Sequence, residues 1–136
     1  PVGDADTAGC WVADQKRTYW MGGADPHGWT QIAKYPHAAV SGTSMLVPGT
    51  RLGLETTDNA AYWHAANGVP CIGTPAGQFV PLRERALALP VNGERGTSGL
   101  MMFDGMVQIL TSIFGSSSNN AAARDSADAT VRRRTA

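Results

Sequence analysis

Apolar residues fall in runs too short for helices. The segments "GCWVAD", "RTYWMGG", "GWTQIAKY", "AAVSGTSMLV" and "RLGLETT" each hold one to several apolar residues and are separated by Gly, Pro or Asp. Runs of that length closed by turn formers predict strands. Three dipeptides supply the positive φ angles that tight hairpins require: Asn67-Gly68, Asn92-Gly93 and Asp104-Gly105. The last is flanked by "SGLMMF" and "MVQILTSI", so residues 100–103 and 106–113 are expected to pair as a hairpin.

A second pattern lies over the first. Tyr-Trp occurs twice, at Tyr19-Trp20 and Tyr62-Trp63, and each pair is followed by a glycine turn. Two units can be laid out around these pairs, one from "CWVADQKRTYWMGG" through "GWTQIAKY", the other from "LETTDNAAYWHAANG" through "GQFVPLRE". A third, shorter unit, "GTSGLMMFDGMVQILTSI", would place Met101 and Met102 where the others have Tyr-Trp. Periods of about 40 to 45 residues with several short strands are those of propeller blades, yet a closed propeller needs about four blades or more. The expectation is an all-β chain of repeated short antiparallel hairpins, either a partial propeller or a small sandwich or barrel. Its open sheet edges favour association with other copies.

Composition agrees with this reading. The 136 residues include 16 glycines and eight prolines, which favour turns over long helices, and the length suits a single domain. Eleven basic and eleven acidic residues cancel, so no global field draws the chain to nucleic acid or to an anionic membrane. Cys10 and Cys71 form no Cys-x-x-Cys pair and read as buried thiols, with one bridge as the alternative. No apolar run reaches membrane-spanning length and "PVGDADTAG" lacks the features of a secretion signal, so the chain reads as soluble. Its start at Pro1 suggests processing, missing preceding residues or a larger parent.

The C-terminal portion differs in kind. Beyond a Gly-Ser-Asn linker, "AAARDSADATVRRRTA" offers Val131 as its large apolar residue. It divides the chain into a β-hairpin repeat region, 1–115, and a linker with a C-terminal arm, 116–136. That arm is expected to order against a neighbour, as a short helix over 121–129 or as a strand over 129–135. Arg132, Arg133 and Arg134 could meet an acidic neighbour or phosphates, with nucleic acid the less favoured partner.

No catalytic constellation is legible. Ser98 and Ser44 lack the Gly-x-Ser-x-Gly elbow that exposes a hydrolase nucleophile. His27, His37 and His64 lack ligand spacing, and "GTPAGQ" lacks the Lys-Ser/Thr end of a phosphate loop. Glu55 with Asp58, and Asp125 with Asp128, are close in sequence, which does not set two carboxylates across a sugar. Trp11, Tyr19, Trp20, Trp29, Tyr62 and Trp63 could form a sugar-stacking platform. Alternation along a strand would bury one member of each Tyr-Trp pair and leave the other at a surface. No metal and no cofactor are expected.

The segment "GTSGLMMFDGMVQILTSIFGSSSNNAAARDSADATV" resembles the closing part of tailed-bacteriophage virion proteins, and "TTDNAAYWHAANGVPCIG" is similar to blade strands of propeller-like members of that group. The likeness spans residues 54–131, although typical members are much longer. It implies a structural, non-enzymatic particle component at the neck or tail, assembled in the host cytoplasm into a virion with copies of itself and other virion proteins. The expected contact residues are Trp20, Trp63, Met101, Met102, Phe103, Met106, Arg132, Arg133 and Arg134. A carbohydrate-binding or adhesin-like module using exposed tryptophans is the alternative.

Overall fold

A computed structural model describes residues 9–82 and 93–115. The chain is all-β there, with three antiparallel sheets and two short 3-10 turns. Residues 116–136, including Arg132, Arg133, Arg134 and the expected terminal helix or strand, lie outside the described residues.

The first sheet is a meander of β1 (Gly9–Ala13), β2 (Thr18–Gly22) and β3 (Thr30–Tyr35). Asp14 closes its first turn, its carboxylate accepting from the backbone N–H groups of Lys16 and Arg17 at 2.6 Å each. Those bonds, joined by one from the Tyr19 hydroxyl, hold the Asp14 carboxyl below its ordinary pKa. A bulge on β3 shifts the register so that Tyr35, not Lys34, pairs with Thr18. The extra residue turns the Tyr35 ring onto the same side as Thr18 and Trp20.

The second sheet is a four-stranded meander of β4 (Met45–Pro48), β5 (Asn59–His64), β6 (Pro70–Gly73) and β7 (Phe79–Pro81). Two of its connections share one form. Ala65 N–H donates to Val69 and Thr74 N–H to Gln78, with Gly68 and Gly77 left-handed at φ 87° and 78°. Asn67-Gly68 is thus a turn, as expected, and "GTPAGQ" is a hairpin connection. The third sheet is a long two-stranded arm, β8 (Gly93–Phe103) and β9 (Met106–Gly115). Asp104 and Gly105 join it with φ 49° and 75°, both positive as the two-residue hairpin demands. The strands run beyond the expected 100–103 and 106–113 at both outer ends. Asn92 lies outside the described residues, and Gly93 begins β8.

Two expectations need correction. "RLGLETT" is not a strand: Gly49–Leu52 forms a 3-10 turn that ends at left-handed Gly53, with Leu54 N–H returning to Gly49 at 3.0 Å. These local bonds leave no ladder for a partner strand. The first strand of the second unit is instead β4, upstream of that turn. In "AAVSGTSMLV" only the end is a strand; Ala39 and Ser41 make isolated bridges to Ala65 and Arg95. Both Tyr-Trp pairs lie on the second strand of their meander, β2 and β5, whereas Met101 and Met102 lie on the first strand of the arm.

The core has two halves because the second sheet is covered on both faces. On one face Val47, Ala60, Tyr62 and Ile72 pack with Met45, Leu52, Leu54 and Ile109 of the arm. On the other, Trp63, Ala65 and Cys71 pack with Trp11 and Tyr35 of the first sheet and with Phe79. The order is first sheet, second sheet, arm. Trp11 centres the intersheet contact, 5.2 Å from Trp20 and 5.3 Å from Trp63 between ring centroids, and Tyr35 stacks on Phe79 at 4.6 Å. Gly73 lets the Trp11 ring approach: a Cβ there would stand 2.2 Å from it.

Candidate interaction surface

The arm meets the second sheet through one of its two faces. Directly paired residues share a face of a ribbon. Met102/Val107, Leu100/Ile109, Ser98/Thr111 and Gly96/Ile113 therefore point one way, and Phe103/Met106, Met101/Gln108, Gly99/Leu110 and Arg95/Phe114 the other. Ile109 packs in the Tyr62 cluster, and the Tyr62 and Thr111 hydroxyls share a hydrogen bond of 2.9 Å. Burial raises the Tyr62 phenol above its ordinary pKa, so it stays neutral in this contact. The base of the arm is fixed as well, where Gly96 N–H donates to Ser41 at 2.7 Å.

The opposite face is open. Phe103, Met106 and Leu110 are exposed to 63%, 60% and 56%, and Met101 and Phe114 are exposed with them. Met102 is also exposed, but on the sheet-facing side, where the Arg51 guanidinium reaches its sulfur. Of the expected contact residues, Met101, Met102, Phe103 and Met106 thus lie together at the arm's tip. Leu110 and Phe114 extend that surface and were not anticipated. The signal for them was present in "QILTSIF", whose alternate positions are apolar on both faces.

Trp20 and Trp63 are placed differently. They are 8% and 3% exposed, inside the contact between the first two sheets. The expectation that Trp20 and Trp63 face outward fails on both strands; on β5 Tyr62 is buried too, because sheet and arm cover that strand from both sides. The Trp63 indole N–H has no hydrogen-bond partner among the described residues. Trp29 is half-buried and donates to Gly23 at 3.2 Å. These tryptophans form no continuous exposed platform.

Two clefts flank the intersheet contact. One, of about 590 Å³, is lined by Trp20, Leu54, Glu55, Asp58, Thr74 and Gln78 among others. Glu55 and Asp58 rise from the same loop. The other, of about 660 Å³, runs past Trp11, Val12, Val40, Leu46 and Trp63. Cys10 and Cys71 are both free thiols; Cys71 is buried, which pushes its thiol up to about 12 and leaves it un-ionised. His64 is buried with its pKa lowered by desolvation, and its backbone N–H is held by Thr43 Oγ1 at 3.1 Å. His27 and Asp25 pair at 3.2 Å on an exposed turn. Among the described residues no three His, Cys, Asp or Glu side chains gather as a metal site, and no helix is long and apolar enough to cross a membrane.

Comparison of the chain with protein-family models, with curated proteins and with solved structures returns no match.

Proposed function

We propose that this chain is a non-catalytic structural protein of a tailed-phage-like particle, working by assembly with copies of itself and with neighbouring particle proteins. The observation that carries the reading is the open apolar face of the arm, because contiguous exposed apolar surface on this scale marks an interaction site. The resemblance of residues 54–131 to virion proteins supports the particle context and a location in the virion. Two meanders that carry Tyr-Trp on their second strands and pack through tryptophan support a partial propeller whose missing blades come from other copies. The tail 116–136, with Arg132, Arg133 and Arg134, reaches a neighbour in this reading. Truncation after Gly115 weakens assembly and leaves the β-sheet circular dichroism unchanged.

Negative-stain electron microscopy of the purified chain tests the proposal. Discrete rings or other regular bodies support it, and fields without any regular body count against it. The second reading is a carbohydrate-binding module, favoured by the cleft where the Trp20 ring meets Glu55, Asp58, Thr74 and Gln78. Glycan binding that disappears in Gln78→Ala, with the fold unchanged, would put that reading first.

A further inference from the structure

We infer that the outward face of the β8–β9 arm is a self-complementary docking face, which packs against the same face of a second copy about a twofold axis. The inference deepens the assembly reading and rests on it. Three features of the arm argue for a second copy as the occupant.

The first is area. Five large apolar side chains, Met101, Phe103, Met106, Leu110 and Phe114, share the face. Side chains of this size carry on the order of 200 Å² each, so their exposed parts present roughly 500 Å² per chain. Two such faces laid together remove about 1,000 Å² from water, the size at which an interface becomes specific.

The second is charge. Between Gly96 and Gly115 the arm holds one charged residue, Asp104 in the turn at the tip, and at its base Arg95 shares the outward face with Phe114. Between Arg95 at its base and Asp104 in the tip turn the face presents no charge, so the best match for that stretch is another neutral apolar face. The chain beyond Gly115 is a poor cover, since residues 116–136 contain Val131 as their one large apolar side chain.

The third is shape. Leu110 stands directly across the ribbon from Gly99, and a Cβ built at Gly99 meets nothing within 4 Å. The face therefore carries a projecting side chain beside an open notch. Twofold packing puts the Leu110 of each copy over the Gly99 of the other, so one pairing satisfies both, as an isologous interface requires.

The test is sedimentation velocity on the full-length chain at two concentrations, with Leu110→Asp and Gly99→Leu, each checked for an unchanged far-ultraviolet circular dichroism spectrum. Both positions are exposed, so neither change disturbs the core. Leu110→Asp is expected to weaken self-association by roughly tenfold or more, the effect of charging a central contact. Gly99→Leu discriminates further. It adds apolar surface and would tighten a nonspecific greasy contact, whereas it fills the notch and weakens an interlocked one. Weakening by both supports the inference. Weakening by Leu110→Asp with tightening by Gly99→Leu overturns the interlocked face. A chain that assembles unchanged in both variants also overturns it, while leaving the assembly reading standing on another surface. A wild-type chain that stays monomeric at both concentrations removes both, and if that monomer floats with neutral phosphatidylcholine vesicles the apolar face belongs to a bilayer.

Discussion

Gly73→Ala tests the packing between the first two sheets, because Gly73 sits on β6 under the Trp11 ring. A Cβ there would stand 2.2 Å from Cε2 and 2.3 Å from Nε1 of Trp11, so the ring must retreat by roughly 1.5 Å to restore ordinary contact. Retreat is obstructed. Trp20 and Trp63 pack against the ring, and its N–H donates to the Thr74 carbonyl at 3.2 Å. Overpacking of this kind costs about 1–3 kcal/mol, and loss of the hydrogen bond adds about 1 kcal/mol. The expected loss of about 2–4 kcal/mol is a large share of the roughly 5–15 kcal/mol that stabilises an ordinary domain. Urea unfolding followed by tryptophan fluorescence reads it as a midpoint lowered by roughly 1–2 M, for a slope of about 2 kcal/mol/M. Gly99→Ala is the control, since its Cβ enters open space, and should move stability by no more than about 0.5 kcal/mol. If Gly73→Ala behaves like Gly99→Ala, the steric argument is wrong. If it destabilises but Trp11→Leu in the same chain does not relieve part of the loss, the clash lies elsewhere.

Other contacts give sharp expectations. Thr43 is fully buried, its hydroxyl donating to Val40 at 2.7 Å and accepting from His64 N–H, so Thr43→Val orphans a buried N–H and should cost about 1–3 kcal/mol by urea unfolding, with Thr43→Ser costing less. The His64 pKa is lowered by burial, so the unfolded chain binds the proton more readily; stability should be unaffected above about pH 6.5 and fall as pH drops below it, and His64→Gln should flatten that part of the pH profile. Cys71, with its thiol near 12, should resist disulfide-exchange reagents until the chain unfolds, while half-buried Cys10 reacts first; fast labelling at Cys71 in native buffer would contradict its placement.

The parts of the fold legible in the sequence are those governed by local chemistry. The arm's turn could be read because Asp104 and Gly105 must both take positive φ, and the first meander because its turns interrupt the apolar runs. Tertiary cover hid the rest. On β5 the alternation vanishes because both faces are buried, so "AAYWH" could not reveal which aromatic points where. Glycine was equally ambiguous: Gly68 serves a turn, while Gly73 lies within a strand and makes room for an indole from 62 residues away. The outward arm face escaped in part because β9 alternates between two apolar faces, and the pairing register is needed to show that Leu110 and Phe114 join Met101, Phe103 and Met106.

The central claim is that this chain works by assembling with itself. Light scattering coupled to size exclusion, on the full-length chain at two concentrations, tests it most directly. The account predicts a discrete mass that is a multiple of the 14.3 kDa chain. A mass of one chain at both concentrations would contradict it.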